Sequence, residues 1–270
     1  MIVKGKTVIV TGAASGIGKA LALRFGKEGA YVVVSDLNEN AAQQVAGLIQ
    51  GLAVACDVTK ETDVQNLVAR CEAHFGPVDL FCSNAGVFFG ETGLATSAGN
   101  EQWQSCWDIH VMAHVYAART VLPGMIARGE GYLLNTASAA GLLSQIGDAA
   151  YSATKHAAIG FAESLAITHG DDGINVSVIC PQYVATPMLG YANDAERPKT
   201  PGLISPDQVA DAVIKGIAKE RFLILPHPEV EKYRQHKADY DRWIGGMRKL
   251  RRSIIGETGG IQIEEMHKLI

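Results

Sequence analysis

The sequence predicts an α/β fold in which one doubly wound parallel sheet carries helices on both faces. Seven short apolar, β-branched runs alternate with longer helical patterns along the chain. Several of the short runs are apolar throughout, which is typical of strands covered on both faces. Regular alternation of strand and helix indicates parallel strands joined by right-handed crossovers.

The strands are expected at Thr7–Thr11, Tyr31–Ser35, Leu52–Cys56, Leu80–Ser83, Tyr132–Thr136, Asn175–Ile179 and Phe222–Leu225. The helices between them are expected at Ile17–Gly29, Asn40–Gln50, Glu61–Phe75, Gln102–Ala127, Ala149–His169 and Pro206–Lys219. Thr59 and Ser205 precede acidic or proline-containing first turns and are typical helix starts. Since no linker rich in Pro, Gly and Ser divides the chain, we expect one catalytic domain over residues 1–270.

Two segments depart from this pattern. Residues 186–206 are rich in Pro, Gly and polar residues, and such a stretch is either a substrate loop or a solvent-exposed connection. Residues 229–270 follow the last strand as a C-terminal helical extension. Within it, Glu229–Arg252 is expected to form one charged helix whose apolar positions at helical spacing pack on the body or on another subunit.

The bulk composition excludes several function classes. A formal net charge of −4 gives no basic excess for nucleic acid or an anionic membrane. The five cysteines form no C-x-x-C pair, so buried thiols in a reducing compartment are favoured over disulfides or a metal site. The N-terminus resembles no secretory signal, and no apolar run approaches the roughly 18–20 residues of a membrane span. We therefore expect a soluble cytoplasmic protein without a metal.

A glycine-rich turn follows the first predicted strand and opens the first helix, in T-G-A-A-S-G-I-G. Glycines let the backbone turn sharply and approach a ligand, and a helix N-terminus attracts a pyrophosphate. The position at the first strand–helix junction is the one that a dinucleotide-binding fold requires. The candidate residues are Gly12, Ser15, Gly16, Ile17 and Gly18.

An acidic residue, Asp36, ends the second strand eighteen residues after Gly18. Its carboxylate can accept from both ribose hydroxyls of an adenosine and repels a 2′-phosphate. Leu37 follows it, and no Arg or Lys flanks it. The sequence therefore favours NAD over NADP, while a simple turn-capping role for Asp36 stays open.

Further candidates follow the third and fourth strands, at the carboxyl edge of the sheet where ligands bind in open α/β folds. Asp57 can accept from an adenine amino group, and Gly86 lets the chain pass close to a nucleotide. Taken singly, each of these positions also fits ordinary turn chemistry. The candidates are Asp57, Val58, Asn84, Ala85 and Gly86.

Tyr151 and Lys155 are four residues apart in Y-S-A-T-K, thirteen residues after Ser138. On a helix this spacing puts the phenol and the ammonium on one face. A nearby cation favours the phenolate, so Lys155 is expected to lower the pKa of Tyr151. Ser138 can hold the oxygen of a carbonyl or alcohol beside the phenol.

In this order and spacing, the motifs T-G-x-x-x-G-I-G, Asp57, N-A-G, Ser138 and Y-x-x-x-K closely resemble the short-chain dehydrogenase/reductase family. The resemblance covers about residues 3–225. It implies a Rossmann-type fold with seven strands in the order 3-2-1-4-5-6-7, and hydride exchange between a nicotinamide and a secondary alcohol or ketone. It also implies a homotetramer or homodimer.

The resemblance assigns roles to individual residues. Tyr151 is the acid/base, Lys155 lowers its pKa and holds the nicotinamide ribose, and Ser138 polarises the substrate oxygen. Pro181, Val184 and Thr186 match the region that contacts the nicotinamide carboxamide.

Two positions depart from the family pattern. His110 stands where Asn is usual, seven residues after Trp103, and either joins the proton relay or only fills space. Gln182 stands where Gly is common, and either lines the pocket or replaces a turn glycine.

The predicted active site is mostly apolar, which suits a hydrophobic, cyclic or aromatic substrate. Candidate substrate residues are Leu142, Gln145, Gln182, Tyr183, Met188 and Leu189. The predicted activity is NAD(H)-dependent interconversion of a secondary alcohol and a ketone. The alternative is a catalytically weak NAD-binding regulatory or assembly protein of the same fold.

Overall fold

The fold is known from a computed structural model that describes residues 1–90, 93–192 and 202–260. Its strands are β1 (Thr7–Thr11), β2 (Tyr31–Asp36), β3 (Leu52–Ala55), β4 (Leu80–Ser83), β5 (Gly131–Thr136), β6 (Ile174–Ile179), β7 (Tyr183–Val184), β8 (Leu203–Ile204) and β9 (Leu223–Ile224). Seven of them form one parallel sheet in the order β3-β2-β1-β4-β5-β6-β9. The predicted doubly wound α/β fold is confirmed, and β9 takes the seventh place. The short strands β7 and β8 pair separately.

The helices are α1 (Gly16–Lys27), α2 (Glu39–Ile49), α3 (Glu61–Phe75), α4 (Asn100–Trp107), α5 (Ala113–Arg128), α6 (Ala140–Leu143), α7 (Ala149–His169), α8 (Pro206–Ala218), α9 (Glu229–His236) and α10 (Tyr240–Thr258). A π-helical turn, Asp108–Met112, joins α4 to α5, and short 3-10 turns lie at Gly170–Asp172 and Pro187–Leu189. Ser205 caps α8 as predicted, because its hydroxyl accepts from the N–H of Gln208 at 3.2 Å.

Two apolar cores, one on each face of the sheet, explain the continuous apolar strands. In β1, the side chain of Ile9 belongs to the core that packs against α3, α5 and α7, whereas Val8 and Val10 belong to the core beneath α1, α2 and α8. Successive side chains of a strand point to opposite faces, and here both faces are covered. Because neither face of these strands is exposed to water, polar and apolar residues do not alternate along their sequences.

Three sequence predictions about helices were wrong in detail. The predicted helix Gln102–Ala127 is interrupted by the π-helical turn, and the predicted helix Glu229–Arg252 is two helices, α9 and α10. The second break arises because Asp239 caps α10, its carboxylate accepting from the N–H of Arg242 at 3.1 Å. Thr59 does not cap α3, since Lys60 is the N-cap and Thr59 instead binds Asp57.

The predicted substrate loop, residues 186–206, is described only in part. Its first turn is the 3-10 turn and its last part contains β8, while residues 193–201 lie outside the described residues, as do 261–270 of the extension. Among the residues described, no helix combines the length and apolar character that crossing a membrane requires.

Candidate active site

A cavity of about 430 Å³, the first cavity, opens at the carboxyl edge of the sheet. It brings together every sequence-predicted cofactor residue and three members of the catalytic set. These are Gly12, Ser15, Gly16, Ile17, Gly18, Asp36, Leu37, Asp57, Val58, Asn84, Ala85, Gly86, Ser138, Tyr151, Lys155, Pro181, Val184 and Thr186. Residues from distant parts of the sequence thus line one cavity.

The glycine-rich turn packs too tightly for side chains. Gly12 has a φ of +61°, and a Cβ there would lie 2.9 Å from the Cα of Ala85. A Cβ on Gly18 would overlap the carbonyl oxygen of Gly12 and lie 2.6 Å from Nδ2 of Asn84. The turn therefore brings bare backbone and the N-terminus of α1 to the cavity, which fits the phosphates of a dinucleotide.

Asn84 fastens the ends of three strands beneath this turn. Its Nδ2 donates to the carbonyl of Thr11 at 3.0 Å, and its Oδ1 accepts from the hydroxyl of Thr136 at 3.1 Å. Its own N–H donates to Oγ1 of Thr11 at 3.0 Å. Asn84 thus connects the strand ends next to the first cavity by hydrogen bonds.

The two carboxylates predicted to bind an adenosine also serve the protein backbone. Asp36 accepts from the N–H of Ala14 and from the N–H of Asn38, each at 3.0 Å. Asp57 accepts from the hydroxyl of Thr59 at 2.7 Å, and this bond is the main reason why its pKa is lowered. Both residues cap turns, and both still face the first cavity.

The serine, tyrosine and lysine converge although they come from two separate segments. Ser138 follows β5, and its Oγ accepts from the N–H of Ala140 at 3.1 Å. Tyr151 and Lys155 lie on α7, with Nζ of Lys155 5.5 Å from the centroid of the Tyr151 ring. That Nζ donates to the carbonyl of Thr136 at 2.9 Å.

The pKa values of this pair differ from the sequence expectation. Withdrawal from water raises the pKa of Tyr151 to about 12, and a hydrogen bond with Ser138 offsets part of the rise. Withdrawal from water also lowers the pKa of Lys155 to about 8. The spacing places the ammonium near the phenol as expected, but Nζ is directed at the carbonyl of Thr136. Desolvation therefore has the largest effect on the pKa of Tyr151 and raises it.

His110 is fully buried and does not line the first cavity. Its Nε2 accepts from the N–H of Val87 at 3.1 Å, and its Nδ1 lies 2.9 Å from Oγ1 of Thr154. An accepting Nε2 leaves the ring proton on Nδ1, which donates to Thr154, whose hydroxyl donates to the carbonyl of Ala150 at 2.9 Å. Burial lowers the pKa of His110 far below its ordinary value. The ring is thus a neutral bridge between the turn after β4 and α7, and both nitrogens are already engaged.

The predicted substrate residues divide into two groups. Gln145, Gln182, Tyr183, Met188 and Leu189 line the first cavity. Leu142 does not: its side chain packs against the core on the α3, α5 and α7 face and against the cluster of Ala139, Leu143 and Val230, and its carbonyl accepts from Nζ of Lys237 at 2.6 Å.

Two buried polar residues were missed by sequence reasoning. His227 accepts from the N–H of Gln182 at 3.1 Å and donates from Nε2 to the carbonyls of Tyr183 and Gly202, each at 3.1 Å. Asp148 caps α7 by accepting from the N–H of Tyr151 at 2.9 Å, and it also accepts from the N–H of Gly90 at 3.1 Å. For Asp148 a signal was present, because it stands directly before the predicted helix Ala149–His169.

The fold and the site define a Rossmann-type α/β protein with a glycine-rich turn and a Ser/Tyr/Lys set that line one cavity. A sequence model of the family described as short chain dehydrogenase matches residues 6–197. The chain belongs to this family, and it is therefore an oxidoreductase.

Known proteins of this family resemble the chain over most of its length. It is 34% identical to 1-deoxy-11-beta-hydroxypentalenate dehydrogenase of Streptomyces avermitilis, over 86% of this chain and 88% of that protein. It is 33% identical to cyclohexanol dehydrogenase of an Acinetobacter species, over 77% and 86%. The crystal structure of a short chain dehydrogenase/reductase from Burkholderia phymatum in complex with NAD superposes with a TM-score of 0.78, at 27% identity, over 95% and 96% of the two chains.

Proposed function

We propose that the protein interconverts a hydrophobic secondary alcohol and the corresponding ketone, with NAD(H) as the hydride carrier. The observation that carries this proposal is the convergence of Ser138, Tyr151 and Lys155 on the cavity that the glycine-rich turn also lines. The names of the two relatives, both alcohol dehydrogenases of cyclic compounds, support the same reaction class.

NAD supplies the hydride acceptor when it is bound, and the protein groups manage the proton and the substrate oxygen. In ketone reduction, the phenol of Tyr151 gives its proton to the substrate oxygen and becomes a phenolate; alcohol oxidation starts from that phenolate, which takes the hydroxyl proton. Ser138 donates a hydrogen bond to the substrate oxygen as charge develops there. Because the pKa of Tyr151 is about 12 in the protein alone, the phenol is protonated at neutral pH and ready to donate to a ketone.

The preference for NAD over NADP rests on Asp36. Its carboxylate faces the first cavity at the end of β2, and a 2′-phosphate placed there would meet a negative charge. The next two residues, Leu37 and Asn38, supply no cation that could compensate.

The decisive experiment is the Tyr151→Phe variant, assayed by NADH absorbance with a panel of ketones and secondary alcohols. We expect turnover to fall by at least about 10³-fold, since the proton-transfer group is lost, while NADH binding measured by fluorescence is retained. Tyr31→Phe, on an exposed tyrosine at the start of β2, is the control and should keep full turnover. Turnover retained by Tyr151→Phe would remove the phenol from the mechanism.

The rival hypothesis, a catalytically weak NAD-binding protein, has a different outcome in the same assay. It predicts that the wild-type protein binds NADH but turns over none of the panel. Self-association as a homodimer or homotetramer and a cytoplasmic location stay predictions, the first of which light scattering on the purified protein tests directly.

A further inference from the structure

A second cavity, of about 630 Å³, lies between α6 and the C-terminal helices α9 and α10. Gln145, Gln182 and Tyr183 line both cavities, so the two adjoin. Ala139, on the wall of the second cavity, directly follows Ser138 in the chain. The lining of the second cavity thus begins one residue after the serine of the predicted catalytic set.

Helix α10 runs along this cavity and contacts the rest of the protein near both of its ends. Trp243, near its start, packs against the cluster of Ala139, Leu143 and Val230. Ile254, near its end, is 2% exposed and packs with Tyr183, Ala185 and Leu203. Between Trp243 and Ile254, the residues Gly246, Met247 and Leu250 line the second cavity.

A glycine near the middle of α10 lines the second cavity. Gly246 lines the second cavity, and a Cβ built there meets no atom within 4 Å. Gly245, its neighbour, does not line the cavity, and its Cβ also meets nothing within 4 Å. A side chain at 246 would occupy the cavity, whereas a side chain at 245 would not.

The chemistry of the walls indicates what the cavity accepts. Apolar side chains dominate the inner wall: Leu143, Ile146, Tyr233, Trp243, Met247 and Leu250. Near the junction of α9 and α10, Asp239 and Arg242 contribute one negative and one positive charge, which balance. Such a surface selects for apolar bulk and not for a charged group.

We propose that the second cavity binds the apolar body of a bulky, uncharged alcohol or ketone, of polycyclic size, while the reacting oxygen lies between Ser138 and Tyr151. This inference rests on the proposed function and adds to it the substrate class and the residues that select it. These residues lie on α9 and α10, beyond residues 6–197 that match the family.

The test fills the cavity in steps with Gly246→Ala, Gly246→Val and Gly246→Leu, and uses Gly245→Leu as the matched control. Two substrates are compared, cyclohexanol and a tetracyclic secondary alcohol. For the tetracyclic alcohol, we expect KM to rise with side-chain volume, by at least about tenfold for leucine. KM for cyclohexanol should stay within about twofold in every variant, because a single ring needs only the first cavity. Gly245→Leu should leave both values unchanged.

A binding measurement separates this inference from the reaction itself. Trp243 lines the second cavity, so the tetracyclic alcohol should change the tryptophan fluorescence of the wild-type protein but not of Trp243→Phe or Gly246→Leu. Binding with this pattern but without turnover would overturn the proposed function and leave the inference standing. Turnover with equal effects of Gly246→Leu and Gly245→Leu on the tetracyclic alcohol would overturn the inference alone. The small Gly246→Ala change still gives a reading if the leucine variant fails to fold.

Discussion

The imidazole Nε2 of His110 accepts the backbone N–H of Val87 at 3.1 Å. Val87 directly follows the N-A-G segment at the end of β4, and the other ring nitrogen of His110 binds Thr154 on α7. One buried ring therefore fixes the distance between the turn that lines the first cavity and the helix that carries Tyr151. This arrangement gives His110 a positioning role and leaves neither ring nitrogen available for a relay to Lys155.

Replacing His110 by leucine should destabilise the protein without moving its pH–rate profile. The N–H of Val87 and the hydroxyl of Thr154 would lose a buried partner, which together cost about 2–4 kcal/mol of the free energy of unfolding. Urea unfolding measures this loss, and His74→Leu, on an exposed histidine of α3, is the control. A shifted apparent pKa in kcat would show instead that His110 takes part in proton transfer.

Gly18→Ala should disrupt cofactor binding, because the new Cβ would overlap the carbonyl oxygen of Gly12. We expect NADH to bind at least about tenfold more weakly, a loss of about 1.4 kcal/mol or more. Gly47→Ala, on the exposed face of α2 with no atom within 4 Å of its Cβ, should instead stabilise the protein by up to about 1 kcal/mol. Fluorescence titration should show weaker NADH binding in Gly18→Ala. Urea unfolding should show a higher free energy of unfolding in Gly47→Ala.

Asp36→Asn should reduce the discrimination against NADP. Removing the negative charge at the end of β2 lowers the repulsion of a 2′-phosphate, and a tenfold change in the ratio of the two dissociation constants corresponds to about 1.4 kcal/mol. The control is Glu39→Gln, which removes an exposed charge three residues away. An unchanged ratio in Asp36→Asn would assign the carboxylate to turn capping only.

The titration of Lys155 should be visible in the stability of the ligand-free protein. Its pKa is about 8 in the folded protein against an ordinary value of 10.5, so between these values the unfolded chain binds more protons. The unfolding free energy contributed by Lys155 therefore rises with pH across that window, by up to about 3 kcal/mol in total. The difference between wild type and Lys155→Met, measured by urea unfolding at pH 7 and pH 10, isolates this term. A difference that is independent of pH would contradict it.

The cysteine thiols should be unreactive in the folded protein. All five are buried thiols that form no disulfide in the part of the chain that the structure describes, and burial raises the pKa of Cys56, Cys71 and Cys180 to about 12 each. Little thiolate therefore exists at pH 8. A colorimetric thiol reagent should react with five groups at once in guanidinium chloride and only slowly in buffer. One fast-reacting thiol in the native protein would indicate local opening.

The parts of the site that short-range patterns encode were predictable. The glycine-rich turn is contiguous, and the i,i+4 spacing of Tyr151 and Lys155 places both on one helix face. The seven strands of the parallel sheet were predicted within a residue or two, because burial on both faces leaves an uninterrupted apolar run, whereas the short strands β7 and β8 were not predicted. The direction of the Lys155 side chain was not predictable, since it depends on the carbonyl of Thr136 in strand β5.

The missed features depend on partners that are distant in the sequence. His227 meets Gln182 across 45 positions, and nothing local marks either residue. The π-helical turn around His110 has the composition of an ordinary helix, and its geometry is tied to contacts with Val87 and Thr154. The break between α9 and α10 did have a local sign in Asp239, which apolar spacing alone overlooked.

Asp148 links the chain segment beyond β4 to the first turn of α7. Its buried carboxylate accepts from the N–H of Gly90 and from the N–H of Tyr151, the first in the chain segment beyond β4 and the second in the first turn of α7. Pulling the segment at Gly90 outward thus weakens the same anchor that orients the phenol. If tightening of the Gly90 contact changes the free energy of the Tyr151 contact, thermodynamic reciprocity requires the reverse effect to have the same size. Substitutions around Gly90 that make room for larger molecules would therefore disturb the start of the helix that carries Tyr151, whereas substitutions in α10 leave that anchor untouched.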